Sequence, residues 1–247
     1  MSTQSLRREL TGSLKRQGAS LVGFADLREL PRDVRDQMDF GISIAVALDP
    51  QVMATIYTGP SMEYYEDYTK VNALLTSLTG LAADILTRGN HQARPKAVID
   101  TGIDMKTLST ILPHKTVATR AGLGWIGKCA LLVTKEYGPA VRISTVLTDI
   151  DLGAGTPINS SHCGDCRNCV EACPGQAPSG KNWNVARPRD SFFDAYKCRI
   201  TALECAAKIG IKDTICGRCI AVCPWTERYR EQKSSHQTGP QTNSGQS

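Results

Sequence analysis

Cys163-Gly164-Asp165-Cys166-Arg167-Asn168-Cys169-Val170-Glu171-Ala172-Cys173-Pro174 decides how the last third of this chain folds. Its two-residue gaps let three thiolates wrap one cubane cluster. The three-residue gap, with proline behind it, turns the fourth thiolate towards a second cluster. Cys216-Gly217-Arg218-Cys219-Ile220-Ala221-Val222-Cys223-Pro224 repeats that ending with one cysteine fewer. Two cubanes take four thiolates each. The two motifs fall one short, and Cys198, alone between them, is the candidate for the missing ligand. The crossed pattern of two-cluster ferredoxins then puts Cys163, Cys166, Cys169 and Cys223 on one [4Fe–4S] cluster. Cys173, Cys198, Cys216 and Cys219 fall on the other. Paired zinc ribbons also use Cys-x2-Cys, but have no use for the third and fourth cysteines with proline behind.

Working outward, nine of the ten cysteines lie between Cys163 and Cys223. Cys205 follows Cys198 by seven residues and reads as a buried thiol on the same helix. Cys129 reads as a core or pocket thiol. Arg7-Arg8 near the start has no apolar stretch behind it, so the segment reads as an amphipathic helix and not an export signal. A cytoplasmic location follows, where thiols stay reduced and a disulfide framework is not expected. The 247 residues are 41% hydrophobic and 21% charged, with a formal net charge of +5. That balance is globular. It contains no apolar run of membrane-spanning length and no basic stripe of the nucleic-acid-binding kind.

Upstream of the cysteines, helix-like and strand-like segments alternate. Leu6–Gln17 reads as a helix stopped by Gly18, and Ser20–Ala25 and Ile42–Leu48 read as buried strands. Ser61–Arg88 carries Val71, Leu74, Leu75, Leu78, Leu81, Ala82 and Ile85 at helical spacing, with Ser61 as N-cap and Gly89 as C-terminal cap. Lys96–Asp100 reads as a strand ending in a carboxylate. Ala130–Val133 and Val141–Leu147 read as an antiparallel pair joined through Tyr137-Gly138-Pro139. The expected organisation is an α/β domain over residues 1–155, a ferredoxin-like double-cluster module over 156–230, and a disordered polar tail over 231–247.

Three further segments carry a resemblance. Tyr65-Glu66-Asp67-Tyr68-Thr69-Lys70-Val71, Val98-Ile99-Asp100-Thr101 and Ala121-Gly122-Leu123-Gly124-Trp125-Ile126-Gly127-Lys128 resemble the pocket helix, the aspartate strand and the signature loop of epoxyqueuosine reductases. The cysteine pattern, with its lone Cys198 and Cys223-Pro224-Trp225, is similar too, and reductive dehalogenases share the core. The resemblance implies an α/β (α+β) corrinoid-reductase-like domain in front of the cluster module. It implies electrons passing singly through the clusters to a cobalamin, for reduction of a small organic or nucleoside substrate. A low-potential ferredoxin or flavodoxin would be the donor.

By position, Asp100 would be the acid and Tyr68 would line the substrate face or donate a proton. The backbone of Gly122, Leu123, Gly124, Trp125 and Gly127 would lie against the cofactor, and Lys128 would meet a cofactor phosphate. The stretch from Asp100 to Gly122 is longer than in those reductases and carries Pro113-His114-Lys115 where they have a helix. The C-terminal helical repeats of many of them are not seen, which argues against tRNA as partner.

Other readings stand beside these. Asp100 could cap a helix or anchor a turn, and Tyr64, Tyr65 and Tyr68 could form a helix's aromatic edge. Gly122, Gly124 and Gly127 precede a strand-like segment, so they suit a tight turn against a flat cofactor better than a dinucleotide. His114 could donate a proton or ligate cobalt from below, or be an ordinary loop histidine. His162 abuts the first ligand and could tune it, while His91 and His236 read as solvated. A flavin in place of the corrinoid fits the same electron transfer. So does a different class of protein, a ferredoxin-type carrier or activator that docks on a partner enzyme.

Overall fold

A computed structural model describes residues 2–96 and 102–237, with side chains as far as residue 233. Helix α1 (Thr3–Arg16) opens on Ser2, whose side chain accepts from Ser5 N, and buries Leu6, Leu10 and Leu14 at four-residue spacing. Strands β1 (Leu21–Asp26) and β2 (Phe40–Ala47) pair antiparallel, and a short helix α2 (Pro50–Met53) follows. Helix α3 (Met62–Arg88) is the longest element and is capped at both ends as expected, by Ser61 accepting from Tyr64 N and by Gly89.

Strand β3 (Ala93–Pro95), helix α4 (His114–Arg120) and strands β4 (Trp125–Ile126), β5 (Leu132–Val133) and β6 (Val141–Thr148) complete the first part. The cluster region has short helices α5 (Asn168–Glu171) and α7 (Arg218–Ala221), the longer α6 (Ala195–Ala207), and α8 (Pro224–Gln237).

The main sheet has strand order β1-β2-β6-β3, and every pairing is antiparallel. Alternation along its strands feeds two cores. Phe24, Ile42, Ile44 and Val146 point to α1 and α3, while Ala25 and Leu147 point to Val117 of α4. The sheet is thus covered on both faces, and each buried leucine of α3, such as Leu75 or Leu78, stabilises it by about 1.5–3 kcal/mol. Buried Arg120 at the end of α4 reaches Glu29, Ile158 O and Asn159, anchoring the connection to the cysteine region.

Of four expectations, three are corrected. First, β5 does not pair with β6: it pairs with β4, and β6 lies between β2 and β3. The Tyr137–Pro139 turn is real, closed by the Thr134 and Gly138 bridge, but it serves another contact. A side chain on Gly138 (φ +58°) would press on Thr226 N of α8, so the turn is a seat for that helix. Second, the polar tail is not disordered from Glu231, because α8 continues to Gln237. Pro224 pre-sets its first turn, buried Tyr229 anchors it, and Glu231, Gln232 and Lys233 are good helix formers. Third, a strand lies just before the segment read at Lys96–Asp100, over Ala93–Pro95. Lys96 still donates its N–H to Thr145 O, and residues 97–101, Asp100 included, lie outside the described residues. Fourth, His114 is not in a loop but opens α4.

Candidate metal centres

The cysteines gather around two adjoining cavities. The first, of about 140 Å³, is lined by Cys163, Cys166, Cys169 and Cys223, and also by Cys219. The second, of about 290 Å³, is lined by Cys173, Cys198, Cys216 and Cys219. Cys223, the last cysteine of the second motif, borders the first cavity, and Cys173, the last of the first motif, borders the second. Local structure explains it. Short helices α5 and α7 follow the Cys-x2-Cys turns and pack on each other, with Asn168 Nδ2 donating to Val222 O at 3.3 Å. Cys198 is delivered by α6, whose first turn is capped by Asp194 accepting from Lys197 N at 2.9 Å.

The thiols are crowded in dry walls. Burial pushes Cys223 up to about 12, with Cys163 and Cys169 adding to it against the opposing N–H groups of Trp225 and Thr226. Burial likewise pushes Cys198 up to about 11, reinforced by Cys173 and Cys216. Such thiols give up their protons to a bound metal, so loading a cluster releases protons. Among the described residues no three His, Cys, Asp or Glu side chains converge to hold a single ion. The thiols ring cavities instead, which suits a cubane and not a tetrahedral zinc site.

Cys129 is buried in the wall between the two cavities, where it meets Cys169 and Cys219. Cys205 lies on α6 as expected, half-buried and beside Cys216.

The signature loop joins the two regions. Trp125 is fully buried, stacked on His162 with centroids 4.8 Å apart and edge-on to Trp225 at 5.2 Å. The Cβ directions of this loop's glycines are occupied by the protein's own atoms. A side chain on Gly122 would come within 2.7 Å of Thr156 O, one on Gly124 would collide with Val133 O, and one on Gly127 would press on Val133 Cγ2 at 2.8 Å. Their bare faces are filled by the protein itself, which accounts for glycine there without a cofactor. Leu123 packs onto the α4 core. Lys128 is buried and lines the first cavity, its amine 2.8 Å from Cys166 O.

Tyr68 is half-buried on α3, its ring under the Arg142 guanidinium at 4.4 Å, and Tyr64 is buried in the core. His114 is turned onto the sheet, with Nδ1 3.0 Å from Thr145 Oγ1. Neither Tyr68 nor His114 lines the two cavities.

Residues that sequence reasoning passed over stand in the second cavity instead. Lys115, next to His114, is one. Its amine donates to Ala130 O at 2.8 Å and is pushed down to about 8, by burial first and then by Arg189. Arg189 itself is held by Leu108 O and Thr107 O. The second cavity therefore has thiols on one side and Leu108, Lys115, Ala130 and Leu131 of the α/β region on the other.

This arrangement defines a class: an iron–sulfur protein in which a sheet domain shares a wall with a double-cluster module. Residues 162–226 match the 4Fe-4S double cluster binding domain family, so the chain carries two [4Fe–4S] clusters. The chain is similar to the epoxyqueuosine reductase of Synechocystis sp., 35% identical over 130 residues, covering 49% of this chain and 42% of that protein. It is also 34% identical over 119 residues to the tetrachloroethene reductive dehalogenase of Desulfitobacterium hafniense, covering 45% of this chain and 22% of that one. The matched stretch thus spans less than half the length of these relatives.

Among solved structures, an epoxyqueuosine reductase with an epoxyqueuosine-modified tRNA-Tyr stem loop superposes with a TM-score of 0.62, at 21% identity, covering 92% of this chain and 66% of that one. A reductive dehalogenase whose structure suggests a mechanism for B12-dependent dehalogenation gives 0.67 at 17% identity, covering 94% of this chain and 34% of that one. The chain is thus an iron–sulfur protein similar to epoxyqueuosine reductases, with the fold common to these two groups. Among the described residues no helix is long and apolar enough to cross a membrane.

Proposed function

We propose that this chain is a cytoplasmic iron–sulfur reductase that acts on a modified nucleoside or a small organic molecule. The observation that carries the reading is the second cavity, where Cys173, Cys198, Cys216 and Cys219 face residues of the sheet domain. Electrons leaving that thiolate set arrive at the α/β region and not in bulk water. The partition read from the spacing gives the first cluster to Cys163, Cys166, Cys169 and Cys223 and the second to the other four. Both cavities fit this use, because their donors are all thiols and none closes on a single ion. When bound, the clusters supply one-electron transfer at low potential. An external ferredoxin or flavodoxin would be the donor.

Reducing an epoxide to an alkene consumes two electrons and two protons and releases water. Lys115 is the residue best placed to hold one of those protons: its amine is enclosed in the cavity wall, anchored on Ala130 O, and still charged at neutral pH. Asp100 is the second acid by resemblance. Tyr68, under Arg142, keeps a substrate-side role by resemblance alone, and His114, bonded to Thr145, lies outside both cavities. Cobalamin is the acceptor that the similar proteins imply. The glycine loop does not offer it the bare cradle expected, because protein atoms fill the Cβ directions there.

The test is anaerobic incubation of the reconstituted protein with cobalamin, a low-potential donor and an epoxyqueuosine-bearing tRNA stem loop, followed by mass spectrometry of the nucleosides. Loss of one oxygen from the nucleoside, abolished in Lys115→Met with both clusters retained, supports the reading. Full iron content with neither corrin retention nor turnover would leave the carrier reading in its place.

A further inference from the structure

Two cations in the cavity walls have no role in that reading. Lys128 is 4% exposed, its amine is bonded to the neutral carbonyl of Cys166, and no ion pair reaches it among the described residues. It lines the first cavity. A buried ammonium held only by a carbonyl is destabilising unless an anion faces it. Arg218 lies between Cys216 and Cys219 and lines the second cavity, and its Nε is buried without a hydrogen-bond partner. Of the other cations of that wall, Lys115 is the proton carrier of the reading above, bonded to Ala130 O, and Arg189 is tied to Thr107 O, Leu108 O and Asp190. A cubane held by four thiolates is a net anion and supplies what both side chains lack.

We propose that Lys128 and Arg218 are the counter-charges of the two clusters, Lys128 for the first and Arg218 for the second, and that each sets the reduction potential of its own cluster. The inference rests on the thiolate partition above. Reduction adds an electron to an already anionic cluster, so a fixed positive charge at its edge favours the reduced form. One cation per cluster makes the two potentials separately adjustable. Both residues act through charge on the cluster and take no part in proton transfer.

The experiment is an EPR-monitored potentiometric titration of the reconstituted two-cluster protein and of Lys128→Met, Lys128→Arg, Arg218→Met and Arg218→Lys, with Cys198→Ala used to assign the first cluster's signal. At the parent's midpoint, Lys128→Met should lower the reduced-to-oxidised ratio of the first cluster about tenfold and leave the second unmoved. Arg218→Met should do the converse, and the charge-conserving variants should stay near the parent. If Lys128→Met fails to hold the first cluster while Lys128→Arg holds it, the requirement for charge stands. Unmoved midpoints in both methionine variants, or equal shifts in the methionine and charge-conserving variants, overturn the proposal. A Cys198→Ala protein that kept all its iron would instead overturn the partition, while the charge dependence would still be read on the unaltered thiolates.

Discussion

Trp125 stacks on His162 at a centroid separation of 4.8 Å and an interplanar angle of 28°, so the signature loop is clamped to the residue preceding the first thiolate. The indole is fully buried, within a core that also holds Val133, Trp183 and Phe192. That core belongs to neither region alone, and it fixes the first cavity against the sheet domain.

Trp125→Ala should therefore destabilise the protein by about 3–5 kcal/mol, as for other large aromatic truncations in cores. Chemical denaturation followed by far-UV circular dichroism would measure it. A loss below about 1 kcal/mol would mean that the junction is not a packed core.

Gly124→Ala should cost about 1–3 kcal/mol, because the new methyl would collide with the Val133 carbonyl on the neighbouring strand. Gly80→Ala is its control. That glycine is exposed inside α3 with nothing within 4 Å, so alanine there should stabilise by about 0.5–1 kcal/mol. Opposite signs in thermal melts are expected, and equal effects would contradict the close-approach explanation.

Lys115 makes stability depend on pH. Its folded value, pushed down to about 8, lies below the ordinary lysine value of about 10.4. Between the two the unfolded chain binds more protons, so stability should rise with pH across that window. Below about 8 the enclosed amine is charged in both states and its burial penalty is fully present. Lys115→Met should lack this rise. Parallel stability curves for parent and variant would show that the amine is not enclosed. As proton donor, Lys115 would also impose a fall in kcat/KM as pH rises through about 8.

Tyr229→Phe should loosen α8 from the sheet domain. The buried hydroxyl donates to Leu48 O at 3.0 Å, and its ring meets Tyr137 edge-on at 5.0 Å. Removing the hydroxyl leaves that carbonyl unpaired, at a cost of about 1–3 kcal/mol. Faster amide exchange confined to α8 and the Tyr137 turn is the expected signature, and unchanged protection there would contradict it.

What the sequence displayed was chemistry and local structure. The cysteine spacing is short-range, so the crossing of Cys173 and Cys223 between cavities was readable from it, and so were the caps of α3. Pairing of β5 was not, because β4 is only two residues long and its pairing is fixed by Gly124 lying against Val133. Residues 231–237 read as tail because composition cannot show that Tyr229 anchors α8. Arg218 and Lys115 escaped notice because a cation between ligands, or beside a histidine, means something only once the cavity wall is seen. Lys128 reads as facing a cofactor because its loop is rich in glycine, while its bond to Cys166 O in the wall of the first cavity is a long-range contact that spacing does not display.

The central claim is that two thiolate sets, crossed between the motifs, hold two cubane clusters. Iron and acid-labile sulfide per chain should be measured after anaerobic reconstitution of the parent and of Cys198→Ala. About eight irons in the parent and about four in the variant, with one EPR signal surviving reduction, are the predicted result. Zinc in place of iron, or full iron in Cys198→Ala, would contradict it.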